Sequence, residues 1–151
     1  MKAPLFLRIA SILSFLFAVG HTLGGRKSWS PAGETEVLRA MKSVHFHAQG
    51  VDRTYWDFYA GFGLTISVSL LLQAVLLWQL ATIAKADPLR LRPLIASFFL
   101  ASVASAYVSW RFIFAVPVVF SALLATCLGL AFLACSPRAA VARNSGGVPS
   151  H

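Results

Sequence analysis

The longest apolar stretch of the sequence runs from Leu94 to Cys135 and contains a single charged residue, Arg111. As one helix it would reach about 63 Å, roughly twice the hydrocarbon thickness of a bilayer. The stretch must therefore turn back on itself. We expect the turn near Trp110 and Arg111, because an arginine at the membrane interface costs far less than one in the middle of the hydrocarbon.

Two further apolar stretches, Leu5 to Thr22 and Phe58 to Ala84, are each long enough to cross a bilayer. Of the 151 residues 58% are apolar and only 12% are charged, whereas about a quarter of the residues in soluble domains are charged. We therefore predict an all-α fold, a bundle of four transmembrane helices. The predicted helices cover about residues 4–23, 57–84, 93–110 and 113–135. They form one membrane domain, residues 1–135, which is followed by a disordered tail, residues 136–151.

The first apolar stretch has a second interpretation, a cleaved signal peptide. Lys2 and Arg8 would form its basic n-region, and residues 18–20 would supply the small side chains for cleavage. We favour a retained helix, because the sequence continues through His21 to Gly25, which is typical of a helix C-terminus.

The formal charge of +8 could suggest a nucleic-acid partner, but its distribution argues against one. The basic residues flank the apolar stretches and form no basic stripe with interleaved aromatic residues. Four crossings place both termini on the same side of the membrane. The short loop from Lys85 to Pro93 is densely basic, so we predict that the termini of this multi-pass protein are cytoplasmic.

A long first outer loop separates the first two predicted crossings. Ser30 and Pro31 make a plausible helix start, and apolar residues from Val37 to Ala48 then recur on one helical face until Gly50. We predict a short amphipathic surface helix at about residues 31–48.

Small or weakly polar residues recur at helical spacing in every predicted crossing. They are Ser11, Ser14, Ala18 and His21 in the first, Asp57, Gly61, Thr65, Ser69 and Gln73 in the second, Ser97, Ala101, Ser105 and Ser109 in the third, and Ser121, Ala125 and Gly129 in the fourth. Lipid provides no hydrophobic drive for helix association, so we interpret these stripes as packing seams. The stripe of the second helix, which includes Asp57 and Gln73, is predicted to face the bundle. We interpret it as a site of hydrogen bonds between helices, and a path for a ligand is the alternative.

Polar and aromatic residues gather on the expected outer side. The candidate ligand-binding residues are His21, Arg53, Asp57, Tyr59, Trp110 and Arg111. If Asp57 and His21 lie at the same depth in the bilayer, they would share a proton or contact a polar group of a ligand. An arginine beside them would hold an anion. A structural explanation competes with this one: Asp57 caps its own helix and pairs with an arginine, and His21 bonds a backbone carbonyl.

The sequence predicts no metal site and no cofactor. His45 and His47 are two residues apart on the presumed surface helix and would point in different directions. No phosphate-binding glycine loop, zinc-protease helix, nucleophile elbow or haem-attachment motif is present.

Two segments carry a resemblance, HTLGG at His21 to Gly25 and RTYWDFYAGFGL at Arg53 to Leu64. With the helix spacing, they resemble a family of small, uncharacterised bacterial four-helix membrane proteins over most of the chain up to about Cys135. The resemblance implies a four-helix fold and a location in the inner membrane. It implies no activity.

These observations lead to a functional prediction with two alternatives. We predict a non-enzymatic integral membrane protein, surrounded by lipid, whose outer mouth binds a lipid-like or quinone-like molecule or a partner protein. One alternative is a membrane enzyme that acts on a lipid-soluble substrate, with His21 and Asp57 as general acid and base. The other is a structural subunit whose packing seams bind helices of another membrane protein.

Overall fold

The computed structural model describes residues 2–25 and 33–135 of the chain. The helices and strands, in order, are α1 (Ala3–Gly24), α2 (Glu36–Ser43), β1 (His45–Ala48), β2 (Val51–Thr54), α3 (Tyr55–Ile83), α4 (Arg92–Phe112) and α5 (Ala115–Ala134). The predicted all-α class is confirmed, with a small two-stranded sheet in addition. The tail for which we predicted disorder, residues 136–151, lies outside the described residues.

Four of the helices, α1, α3, α4 and α5, are long and apolar enough to cross a membrane. Helices α1, α4 and α5 contain 22, 21 and 20 residues, so each rises about 30–33 Å and matches a hydrocarbon layer of roughly 30 Å. Helix α3 has 29 residues and rises about 44 Å. The bounds of the four helices differ from the predicted ones by two residues at most.

The turn in the longest apolar stretch lies at Ile113 and Phe114, between α4 and α5. Arg111 falls in the last turn of α4, where a cation also interacts favourably with the carbonyl end of the helix. Pro93 and Pro117 lie in the first turns of α4 and α5. A proline is tolerated there because the amide it lacks would have no partner within the helix.

The chain divides into two compact units, and we call the first the core unit, residues 2–15 and 72–135. Each long helix contributes one large, fully buried aliphatic side chain to a single apolar cluster. These side chains are Leu7 of α1, Leu77 of α3, Ile95 of α4 and Leu128 of α5. The core unit is thus a four-helix bundle held together by apolar packing.

The close approach of α4 and α5 depends on Gly129. A Cβ atom at this position would lie 3.4 Å from the ring of Phe99, which is tight for a carbon–carbon contact. Glycine therefore lets the aromatic ring lie against the backbone of α5, as small residues do at helix interfaces in membranes.

The second unit, here called the loop unit, comprises residues 16–25 and 33–71. Its first element corrects our prediction of a surface helix at about residues 31–48. Helix α2 covers only Glu36–Ser43, and residues 31–32 lie outside the described part of the chain. The hydroxyl of Thr35 caps α2 by accepting a hydrogen bond from the amide of Leu38, at 3.3 Å.

A β-hairpin follows α2 in place of the predicted helical turns. Strands β1 and β2 are antiparallel, and Ala48 lies opposite Val51. The two residues between them, Gln49 and Gly50, have φ angles of +52° and +83°. Positive φ at both positions is typical of the tight turns whose twist matches that of paired strands. Gly50, which we interpreted as the stop of a helix, therefore closes a hairpin.

The stripes of small residues divide into two groups. Those of α1 and α5 are largely buried, as expected of packing seams: Ser11, Ser14, Ala18, Ser121 and Ala125. Those of α3 and α4 are exposed: Gly61, Thr65, Ser69, Ser97, Ala101 and Ser105. The prediction that the α3 stripe faces the bundle is wrong, since its hydroxyls bond to backbone carbonyls four residues earlier in their own helix.

Candidate functional site

His21, near the C-terminal end of α1, contacts a serine of α3 that the sequence analysis did not select. Its Nδ1 atom lies 3.1 Å from Oγ of Ser67, and Oγ1 of Thr22 lies 2.9 Å from the same oxygen. Ser67 is buried, with 5% of its surface exposed. The three side chains form a polar cluster between α1 and α3.

The hydrogen-bond network assigns the proton of the neutral imidazole. The hydroxyl of Thr22 donates to the backbone carbonyl of Ala18 at 2.7 Å, and that of Ser67 donates to the carbonyl of Gly63 at 3.3 Å. With both hydroxyl protons directed to backbone carbonyls, the oxygen of Ser67 accepts from Nδ1 of His21. Nδ1 then carries the proton and Nε2 is a hydrogen-bond acceptor. Nε2 makes no hydrogen bond with any residue that the structure describes.

The neighbours of the His21 ring fix its position. The edge of Phe17 meets it with ring centroids 6.3 Å apart. On the α3 side, a Cβ atom at Gly63 would lie 3.9 Å from Cε1 of His21, which is ordinary van der Waals contact. The imidazole is half-buried, and the ring is held at Nδ1 while its remaining surface is accessible.

Asp57 has a structural role at the start of α3. Its carboxylate accepts a hydrogen bond from the amide of Thr54, and the hydroxyl of Thr54 accepts one from the amide of Asp57, both at 3.0 Å. This reciprocal pair is a capping box, which satisfies two amides that the first helical turn leaves without partners. The sequence analysis considered such capping as the structural explanation for Asp57.

The expected shared depth of His21 and Asp57 is not what the structure shows. His21 contacts Ser67, which follows Asp57 by ten residues on the same helix. A helix rises about 15 Å over that distance. The carboxylate and the imidazole therefore do not share a proton, and His21 bonds a hydroxyl rather than the backbone carbonyl that the structural explanation expected.

Arg53 and Tyr59 lie near Asp57 on the surface of the loop unit. Arg53 stands on β2, and its Nη1 donates to the backbone carbonyl of Asp52 at 2.7 Å. The ring of Tyr59 lies 5.6 Å from that of Trp56, in the arrangement common among interfacial aromatic residues. Neither side chain is buried.

Trp110 and Arg111 belong to the core unit and end α4. The ring of Trp110 lies 6.2 Å from that of Tyr107, and the guanidinium of Arg111 lies 5.3 Å from the ring centroid of Phe112. Trp110 and Phe112 are among the most exposed large side chains, at 71% and 70%. These residues form an aromatic tip beside one cation, a pattern typical of a membrane interface.

The histidines of the hairpin have structural partners. Nδ1 of His45 bonds the carbonyl of Ser43 at 3.0 Å, and Nδ1 of His47 lies 3.8 Å from Asp52. Within residues 2–25 and 33–135, no group of three or more histidine, cysteine or acidic side chains is arranged to hold a metal ion.

Sequence reasoning missed Ser67 because it followed the stripe at Gly61, Thr65 and Ser69. The relevant spacing begins two residues later, at Gly63 and Ser67. It differs from the exposed stripe by 200° around the helix, which is almost the opposite face. Periodicity identified a polar face of α3 but could not decide which of two such faces packs against α1.

Comparisons with models of known protein families, with curated proteins and with solved structures find no match to this chain. The resemblance based on residues 21–25 and 53–64 thus stays a prediction, and a functional assignment rests on the geometry alone.

Proposed function

We propose that this chain is a multi-pass integral membrane protein of the bacterial inner membrane, with four crossings and cytoplasmic termini. The four long apolar helices support insertion. So do the large apolar side chains that stay exposed along them, for example Phe62, Val68 and Leu133 at 60%, 65% and 66%. Such a surface is unfavourable in water and is matched by lipid. The basic loop from Lys85 to Pro93 supports cytoplasmic termini.

Reporter fusions test this topology directly. A reporter fused after residue 90 should be cytoplasmic, and one fused after residue 45 should be on the opposite side. Fusions at both positions that report the same compartment would exclude the arrangement of four crossings.

We further infer that the protein binds the polar group of a lipid-like or quinone-like molecule at His21, without catalysing a reaction. The observation that carries this proposal is the fixed imidazole with an open Nε2. Ser67 holds Nδ1, so Nε2 presents a hydrogen-bond acceptor among apolar helices. An acceptor in apolar surroundings is costly unless it is paired, and a hydroxyl-bearing, lipid-soluble molecule would pair it.

The geometry does not favour an enzyme that uses His21 and Asp57 as acid and base. The two hydrogen bonds between Asp57 and Thr54 both lie at the start of α3. His21 instead bonds Ser67, which lies further along that helix. A general acid–base pair must reach the same reacting group.

A short-tail ubiquinol is a suitable probe, because its hydroxyl can donate to Nε2. Binding to the detergent-purified chain is measured by native mass spectrometry. We expect His21→Ala to weaken binding about tenfold, the size of one lost hydrogen bond. Ser67→Ala should weaken it less, because the imidazole is still present but no longer held.

Ser69→Ala provides the matched control. It removes a hydroxyl two residues away that bonds only the carbonyl of Thr65, so binding should equal that of the unmodified chain. Equal binding by His21→Ala, or no binding by any form, would count against the proposed site.

A second candidate function is that of a structural subunit, and the exposed stripes of α3 and α4 favour it. Ser97, Ala101 and Ser105 present a face of small residues, which allows the close backbone approach that drives helix association in lipid.

In a background without Cys127 and Cys135, Ser105→Cys should form a crosslinked product in native membranes. The buried Ser102→Cys is the control. A Ser105→Cys chain that remains uncrosslinked would exclude this interface.

A further inference from the structure

Arg8 of α1 has an unusual environment in the core unit. Its guanidinium carbon lies 5.0 Å from the ring centroid of Trp78 on α3, within range of a cation–π interaction. Its Nε atom is buried and has no hydrogen-bond partner among the described residues. A buried N–H of a charged group is costly when unpaired, so the guanidinium can take an acceptor that the described residues do not provide.

The charge of Arg8 is also uncompensated. Lys2, Lys85, Arg90 and Arg92 surround the same end of the four-helix bundle, where α1 and α4 begin and α3 ends. The core unit contains one carboxylate, Asp87, and it lies 3.8 Å from Nε of Arg90. No ion pair in the described part of the chain includes Arg8. This end of the bundle therefore attracts anions.

An apolar groove adjoins Arg8. It has a volume of about 380 Å³ and is lined by Ser11, Ile12 and Phe15 of α1 and by Val75, Trp78 and Gln79 of α3. The hydroxyl of Ser11 donates to the carbonyl of Ala74 at 2.7 Å, so the serine offers no free donor to the groove. The volume lies within the range of ligand-binding clefts.

Trp78 connects the cation and the groove, since its ring contacts Arg8 and also lines the groove. Ser11 and Ile12 follow Arg8 by three and four residues, so they lie on the same face of α1. The groove therefore begins about one helical turn beyond Arg8 and runs between α1 and α3. Arg92 likewise has a buried Nε without a hydrogen-bond partner among the described residues and an aromatic ring at 4.4 Å. Its aromatic partner, Phe132, does not line the groove, so the groove distinguishes Arg8 from Arg92.

We propose that this arrangement is a binding site for an anionic phospholipid. The phosphate accepts hydrogen bonds from the guanidinium of Arg8, which suits phosphate geometry because its donors form a planar fork. One acyl chain lies in the groove between α1 and α3. The proposal rests on the insertion of the chain in a membrane, and the basic end of the bundle places the site in the leaflet with cytoplasmic headgroups.

The test uses the full chain in detergent and measures lipid binding by native mass spectrometry. Phosphatidylglycerol is compared with phosphatidylcholine, which has similar acyl chains but no net charge. We expect the unmodified chain to prefer phosphatidylglycerol about tenfold, and Arg8→Gln to abolish most of that preference. Arg8→Lys keeps the charge but loses the fork, so it should retain part of the preference.

Two further variants separate the parts of the site. Lys85→Gln removes the same charge from an exposed position at the same end and should leave the preference intact. Ile12→Trp fills the groove and should weaken the binding of both lipids. Inorganic phosphate, added as a competitor, should not displace phosphatidylglycerol, because it has no acyl chain to occupy the groove.

The inference is overturned if Lys85→Gln reduces the preference as much as Arg8→Gln, since diffuse charge would then explain it. It is overturned equally if inorganic phosphate competes or if Ile12→Trp binds both lipids normally. Should Arg8→Gln fail to fold, Arg8→Lys and Ile12→Trp decide the question. The reporter fusions at residues 45 and 90 keep the two proposals apart: a chain with four crossings and no lipid preference refutes only this inference.

Discussion

The core unit and the loop unit are stabilised by different interactions. In the core unit, Leu7, Leu77, Ile95 and Leu128 are fully buried and meet in one cluster. In the loop unit, Thr54 and Ser67 are the buried polar side chains, and each satisfies partners on a neighbouring turn or helix. Large apolar side chains therefore dominate the interior of the core unit, although a hydrogen bond from Ser11 to Ala74 also joins two of its helices. In the loop unit the hydrogen bonds of Thr54 and Ser67 are more prominent. Substitutions should reveal this difference.

The largest effect is expected in the core unit. Leu128→Ala leaves a cavity at a fully buried position and should lower the free energy of unfolding by about 2–5 kcal/mol. Leu130→Ala is the control, because Leu130 lies on the same helix and is 42% exposed. Thermal unfolding in one detergent provides the measurement. Equal losses for the two variants would show that α5 does not pack as described.

An intermediate effect is expected at the polar cluster of the loop unit. Ser67→Ala removes the oxygen that contacts both Thr22 and His21 and should cost about 1 kcal/mol, typical of hydrogen bonds between helices in membranes. Ser69→Ala should cost close to nothing. The NMR signals of the His21 ring should change only in the first variant. Unchanged NMR signals of the His21 ring in Ser67→Ala would disprove the contact between His21 and Ser67.

A comparable but more local effect is expected at the start of α3. Thr54→Ala removes the cap of the helix and should cost about 1 kcal/mol, with faster amide exchange confined to the first turn. Thr82→Ala, near the other end of α3, removes a hydroxyl that bonds a carbonyl of its own helix and should leave that exchange unchanged. Faster exchange along the whole of α3 would contradict a capping role.

The smallest effect is expected from pH at α2. The hydrogen bond and charge of Lys42, whose Nζ lies 2.8 Å from Oε1 of Glu34, lower the pKa of Glu34 from its ordinary value of 4.5. The pair therefore contributes its stabilisation above that pH and loses it as the pH falls through the lowered pKa. The protection factors of the α2 amides, which correct the observed exchange for its intrinsic dependence on pH, should decrease on acidification. Lys42→Gln should remove the pH dependence, and both partners are exposed, so the change is small.

The sequence predicted the elements of the core unit because they follow from length and charge. A run from Leu94 to Cys135 with one arginine must turn, and the cost of burying Arg111 locates the turn. A capping role for Asp57 was one of the two interpretations that the sequence offered, and the structure adds Thr54 as its reciprocal partner. These features depend on local chemistry or on the thickness of a bilayer.

The features that the sequence did not predict depend on a choice between two similar patterns. Residues 37–48 fit a helical period, but Val44 and Phe46 favour a strand. The tight turn at Gln49 and Gly50 favours a hairpin over a continuous helix. In α3, two faces carry small polar residues, and only packing against α1 selects the one with Ser67. Arg8 was counted as a topology signal, because sequence shows its charge but not its contact with Trp78.

The length of α3 has a mechanical consequence. Its 29 residues exceed a hydrocarbon layer of roughly 30 Å by about 14 Å of helical rise. In the proposed membrane location, such a helix can tilt and so reduce this excess, or stand upright with its first aromatic turns among the headgroups. Neither posture breaks a backbone hydrogen bond. In the membrane location proposed above, a change in the tilt of α3 would let this helix match hydrocarbon layers of different thickness.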